Sequence, residues 1–175
     1  RGRINRHPNL RLSVAQILAT APNVAEPARE LLRTVCECLE WDAGFYWTRE
    51  RDSEALACIA HWHRADIDIS RFVANTHARS FRRGEGLPGS AWEARIPVSL
   101  PDVTQADNFP RAAVAREDGL HGAFACPLIA GSRTVGVIEF FSRRIREPDA
   151  PMLETMAIVA GLIAHFADRI QAEET

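Results

Sequence analysis

A chain of 175 residues with 46% hydrophobic and 25% charged residues has the length and balance of one globular domain whose core needs no covalent staples. Its net charge of −2 gives no electrostatic reason to expect nucleic acid or an anionic membrane surface as a partner. All 21 basic residues are arginine; scattered among acids, they read as compositional bias rather than as a phosphate-binding array.

Residues 1–8, RGRINRHP, are polar and basic and read as a linker. One domain is expected over 9–171: helices over 9–41, a sheet with a pocket segment over 42–142 and a closing helix over 148–171. A solvated tail, 172–175, follows. Leu10, Val14, Ile17 and Leu18 recur at helical spacing, and Ala21-Pro22-Asn23 ends that helix. Val24, Ala28, Leu31, Val35 and Cys38 form one apolar stripe on a second helix that stops near Glu40. Ala43 to Thr48 and Ala55 to Trp62 read as strands joined by a charged turn. Ile69 to Ala78 suits a short helix, and Arg83 to Pro88, with two glycines and a proline, a rigid turn. A short helix around Trp92 and a strand from Val98 to Leu100 follow, then a loop enclosing a helix from Pro110 to Glu117.

Two apolar runs, Ala123 to Ile129 and Val135 to Phe141, flank Ala130-Gly131-Ser132-Arg133 and predict a β-hairpin at the centre of the molecule. In the closing helix Met152, Met156, Val159, Ile163, Phe166 and Ile170 repeat at steps of four and three, a seam that predicts a helical homodimer interface. Leu153, Ala157, Ala160 and Ala164 make a second stripe beside it. Glu139, polar amid VIEFF, is expected at solvent or at a helix end. Four cysteines, Cys36, Cys38, Cys58 and Cys126, lie in helix or strand without a C-x-x-C pair, which fits a reduced, cytoplasmic compartment. No apolar run reaches the length of a membrane span. The chain opens on Arg1, which fits a segment of a longer protein with a fused output domain.

The ordered set Gly84-Glu85-Gly86-Leu87-Pro88-Gly89, Trp92, Pro97, Asp102, Phe109-Pro110-Arg111, Ala115, Gly119-Leu120, Gly136 to Ser142 and Pro148-Asp149 resembles the GAF domain, in the version found in bacterial sensor histidine kinases and related multidomain signalling proteins. The resemblance runs from about residue 24 to residue 170. It implies an α+β fold: a central antiparallel sheet of five or six strands, terminal helices bundled on one face, and on the other a pocket covered by loops and short helices. It also implies a site lined by Phe72, His77, Leu87, Trp92, Val98, Asp102, Phe109, Arg111, Phe124 and Cys126, for an unidentified small-molecule ligand. The alternative is that these aromatics close a solid core and Asp102 caps the turn after it.

Cofactors are not named by these residues. Covalent bilin in related domains needs a cysteine before the hairpin, and Pro110 to Leu120 has none. Haem would rest on His77 or His121 alone. His61 and His63 alternate on one strand and face one way, but two imidazoles need a third ligand and the sequence names none nearby, so no metal site is expected. The resemblance implies a regulatory sensor, not an enzyme by itself, fused in a longer protein to an output such as a histidine kinase. A structural dimerisation module is the alternative. A third is a redox enzyme acting on free methionine sulfoxide through Cys126 and Cys58.

Overall fold

The computed structural model describes residues 2–173, with side chains from Asn9 onward. The elements run α1 (Gly2–Ala19), α2 (Ala25–Leu39), β1 (Ala43–Thr48), β2 (Ala55–His63), α3 (Ser70–His77), β3 (Ser80–Arg82), α4 (Gly86–Ala94), β4 (Val98–Leu100), a 3₁₀ turn (Val103–Gln105), α5 (Ala112–Glu117), β5 (Gly122–Ala130), β6 (Arg133–Ser142) and α6 (Ala150–Glu173). The segment read as a linker is helical from Gly2, because polar composition does not by itself preclude a helix. Arg1 and residues 174–175 of the expected tail lie outside the described residues.

Six strands form one antiparallel sheet in the order β3-β2-β1-β6-β5-β4. The β5–β6 hairpin closes with Ala130 opposite Arg133, and Gly131 takes φ 63° at the first of the two turn positions, where a primed turn demands glycine. Side chains alternate across the sheet and divide between two cores. On one side Tyr46, Trp62, Phe124, Leu128, Ile138 and Phe140 pack with α1, α2 and α6. On the other, Phe45, Trp47, Leu56, Val137 and Phe141 pack with residues of α3, α4 and α5.

Helix ends follow local chemistry. Asn23 Oδ1 accepts the Glu26 N–H at 2.9 Å to start α2, and Glu40, at φ 63°, ends it with its N–H on the Cys36 carbonyl. Asp149 Oδ1 accepts the Met152 N–H at 2.9 Å at the start of α6. The stretch expected as a turn, Arg83 to Pro88, instead enters α4 at Gly86. Pro88 falls in its first turn, where a missing N–H costs nothing. Glycine is required there by close approach: a Cβ on Gly89 would sit 2.2 Å from the Arg82 carbonyl oxygen of β3. β3 itself, three residues long, is too short to carry a periodic signal.

The seam of α6 faces inward. Met152, Met156, Val159, Ile163 and Phe166 are buried in the helix-side core and Ile170 packs against it, so these residues meet their own chain and not a second copy. Trp41 closes the same core, donating its indole N–H to Met152 Sδ at 3.2 Å under the Arg146 guanidinium, 4.1 Å from the ring centre. Of the second stripe, Ala160 and Ala164 are buried and Ala157 is exposed. Among the described residues α6 is the one helix long and apolar enough to cross a membrane by length and composition; half of that window is buried against the domain, as a core helix requires.

Candidate functional site

The face opposite the helices is built around a charge. Glu139 stands on β6 between Val137 and Phe141, which share its face, and Arg111 enters from the start of α5. Arg111 Nη1 donates to Glu139 Oε1 at 2.8 Å and Nη2 donates to Oε2 at 3.0 Å, a two-pronged pair in which both side chains are fully buried. Trp47 Nε1 donates to the same Oε1 at 2.8 Å, and Arg111 Nη1 also donates to Thr76 Oγ1 at 3.2 Å. Five rings enclose the guanidinium: Phe109 at 4.8 Å, Phe72 and Phe81 at 5.1 Å, Trp47 and Phe141 at 5.6 Å from its carbon. Arg111 Nε is buried without a protein partner. The pair is affordable only because each charge meets the other and the remaining polar atoms are almost all bonded.

The sequence set Arg111 among aromatic residues of this face as a group to orient a ligand, and expected Glu139 at solvent or at a helix end; the structure pairs the two in the core. Period-two alternation held the signal: Glu139 shares its face with Val137 and Phe141, and a carboxylate flanked so must find a cation. Phe72, Leu87, Trp92 and Phe109 lie in this core, with Val98 packed at its edge. Trp92 carries the Arg49 guanidinium 4.9 Å from its ring centre. Phe124 and Cys126 do not belong here. They project to the helix side, where Phe124 meets Trp41 at 4.8 Å between ring centres, because β5 presents Ala123 and Ala125 to this face instead.

The roof is tied down by side chains on backbone. Asp102 Oδ1 accepts the Thr104 N–H at 3.0 Å and its hydroxyl at 2.7 Å, and pairs with His121 Nδ1 at 3.0 Å; these bonds hold its carboxyl below the usual range. Asp102 therefore caps the 3₁₀ turn and does not reach the buried pair. Asn108 accepts the Gly86 N–H at 2.9 Å and donates to the Gly84 carbonyl at 2.9 Å, joining the segment before α5 to α4. Asp118 Oδ2 accepts the Phe72 N–H at 2.8 Å and links the end of α5 to α3. The nest beneath is filled by the chain's own side chains. An open cleft of about 650 Å³ lies elsewhere, at one end of the sheet, lined by residues including Trp41, Asp42, Trp62, Arg64 and Arg143.

His77 is exposed at the end of α3, outside the aromatic nest, and meets β2. Its Nε2 lies 2.8 Å from His61 Nδ1 and 4.0 Å from Cys58 Sγ, so the structure brings together groups that the sequence left apart. Among the described residues no three His, Cys, Asp or Glu side chains are arranged to hold a metal ion together. The thiols are quiet. Burial, then the Glu139 charge, pushes Cys58 up to about 12, and burial pushes Cys126 up to about 12; Cys36 is raised for the same reason. Shifts in that direction work against these three thiols as nucleophiles at neutral pH.

Comparison with known proteins agrees with this architecture. A family model described as "GAF domain" matches residues 21–166. Protein NLP1 of Arabidopsis thaliana is 28% identical over 135 residues, 65% of this chain and 14% of that protein, so the chain spans a small part of the curated relative it matches. The GAF domain of a phosphoenolpyruvate-protein phosphotransferase from Coxiella burnetii superposes with a TM-score of 0.81 at 18% identity, covering 97% of this chain and 96% of that one. The free methionine-R-sulfoxide reductase of Neisseria meningitidis, in complex with its substrate, gives 0.75 at 12% identity, covering 97% and 92%. At such identities the superpositions speak for the fold, and the family match speaks for descent: this chain belongs to the GAF domain family.

Proposed function

We propose that this domain is the sensory part of a longer signalling protein, coupled through its terminal helices to an output such as a histidine kinase, and that a small molecule or partner acts on the face roofed by α3, α4 and α5. The observation that supports the reading is the buried Arg111–Glu139 pair. A core serving packing alone is as stable, or more so, with apolar residues of equal volume. A charged pair kept beneath a roof of short helices and turns supplies groups that an incoming charge can re-pair. A ligand shifts the output only through its differential affinity for two arrangements. Here the neighbours of Glu139 on β6, Ile138 and Phe140, pack on the helix side, which gives a short route to α6.

The homodimer contact belongs to the outer side of α6, since its inner seam is consumed by the domain's own core. Ala157, Ile158 and His165 are exposed there, and a Cβ on Gly161 would meet open space. The methionine sulfoxide reading is not favoured, because Cys58 and Cys126 are both held as thiols.

The test is a thermal-shift screen of the domain against nucleotides, amino acids, small carboxylates and guanidino compounds. A ligand at a hundredfold excess over its Kd raises stability by about 2.7 kcal/mol, and Glu139→Gln is expected to abolish that gain. A screen without a hit, together with full-length output unchanged by Glu139→Gln, refutes the reading. Light scattering on Gly161→Arg checks the dimer: a mass equal to that of the unaltered domain refutes the proposed contact.

A further inference from the structure

β2 carries an extra residue. Tyr46 pairs with Ala60 and Trp47 with Cys58, so Ile59 is unpaired and bulges outward, 38% exposed. Past the bulge Cys58 comes to the same face as His61 and His63, and over this face α3 delivers His77. His61 Nδ1 and His77 Nε2 lie 2.8 Å apart with the rings at 70°, a hydrogen bond between two imidazoles. His77 is exposed and His61 half-buried, so protons reach the pair from solvent.

Such a bond exists in only some protonation states. One ring donates an N–H and the other must accept through a bare nitrogen, so the bond holds with both rings neutral or with one charged. When both are charged, each facing nitrogen carries a hydrogen, and two like charges meet with no acceptor between them. The surroundings do not relieve this. Cys58 Sγ, 4.0 Å from His77 Nε2, is held as a neutral thiol. His63 stacks on His61 at 6.1 Å between ring centres, with its Nδ1 on the Arg64 carbonyl oxygen, and the Asp68 charge interacts with His63. β1 contributes the uncharged ring of Phe45, α2 the cation Arg29, and the Arg111 and Glu139 charges in the core answer each other. Burial, and then His77, His63 and Arg29, hold His61 below its ordinary value. The closed pair therefore takes its second proton less readily than two free rings, and falling pH favours the arrangement in which the rings part.

The element released is part of the roof. The start of α3 is fixed by the Asp118 bond to the Phe72 N–H. Its last turn is tied across by adjacent residues: His77, bonded to His61 near the surface, and Thr76, whose hydroxyl accepts from Arg111 Nη1 in the core. Displacing His77 displaces Thr76 with it. We propose that the His61–His77 hydrogen bond is a proton-operated latch, closed while one facing nitrogen is bare and open when both rings are charged, which frees the last turn of α3. Its consequence for signalling rests on the sensory reading of this face, whereas the latch itself does not.

The test is hydrogen exchange of the wild-type domain by NMR at about pH 7.5 and about pH 5.5, either side of the ordinary imidazole value near about 6.5, with rates corrected for the intrinsic pH dependence of exchange. Amides of residues 74–79 are expected to lose protection in acid by about fivefold or more, the worth of one hydrogen bond, while α6 keeps its own. His61→Phe and His77→Gln each remove one of the two charges and should flatten that difference; His165→Gln, on the outer side of α6, should retain it. If either variant fails to fold, the imidazole nitrogen shifts of the wild type decide: rings that charge together with the loss of protection support the latch, and rings that charge without it overturn it. Equal protection of 74–79 at the two pH values, a loss that survives in both variants, or a loss shared by α6 also overturns it. The ligand reading fails separately, on binding and output.

Discussion

Replacing Arg111 with methionine keeps the length and much of the volume of the side chain while deleting its charge. Glu139 would keep the Trp47 indole N–H but lose both guanidinium donors, at 2.8 and 3.0 Å, in a place where its side chain has no exposure to water. Breaking a buried ion pair by removing one partner costs ~3–5 kcal/mol. That is a large part of the ~5–15 kcal/mol by which a domain is stable. At ~2–4 °C per kcal/mol for a chain of this size, the melting temperature should fall by about 6–20 °C. The double variant Arg111→Met with Glu139→Leu removes the stranded carboxylate and should recover most of the loss, because an apolar substitute for a buried pair is close to neutral or better. Urea unfolding of the wild type, both single variants and the double variant gives the coupling between the two positions. A single variant within about 1 kcal/mol of wild type, or a double variant no better than Arg111→Met, would show that the pair is not what organises this face.

Ile163→Asp, on the buried seam of α6, should unfold the domain rather than dissociate it; a folded monomer by circular dichroism and light scattering would contradict the inward placement. Burial, and then the neighbouring His77 and His63 charges, hold His61 below its ordinary value, so the unfolded chain takes up this proton more readily than the native one. Stability from this group is therefore intact above about pH 7 and declines as pH falls through the ordinary imidazole range near about 6.5. Urea midpoints across that window should fall less steeply for His61→Phe, and equal slopes would refute it. Burial raises Cys126 to about 12, so little of it is thiolate at neutral pH. Alkylation of the native domain should be slow at that residue by peptide mass mapping, and turnover of free methionine sulfoxide would defeat the quiet-thiol assignment. Gly136→Ala places a Cβ 2.4 Å from the Trp47 carbonyl oxygen across the β1–β6 pairing, so it should destabilise by at least about 1 kcal/mol in urea; a neutral result would mean the strands separate easily there.

Most of the fold was legible because its long elements carry their own period. The α2 stripe, the hairpin and the capped α6 could be read from spacing alone, and β1 was bounded to the residue. What escaped was set by other parts of the chain. β3 exists only because Ala55 to Ala57 offers it an edge. α6 displays one heptad seam whether it packs on a sheet or on a second helix, and only the position of β5 and β6 decides which. The phase in which β5 joins the sheet decides on which side Phe124 and Cys126 fall, the extra residue Ile59 in β2 does the same for Cys58, and neither leaves a mark in composition. The candidate site was half visible: Arg111 was identified with its aromatic surroundings, whereas its partner Glu139 was read as an isolated polar residue because the two are 28 positions apart.

The sheet is a single layer, so its two sides are one residue apart. Glu139 looks toward the arginine while Ile138 and Phe140, its covalent neighbours, are wedged among the long helices. Any twist of the peptide that carries the carboxylate is delivered to both flanking side chains at once, through stiff bonds and without a relay. Tolerance to substitution should for that reason be asymmetric. Outlying positions of the roof are free to vary, while the three consecutive residues at the middle of β6 must change together or not at all.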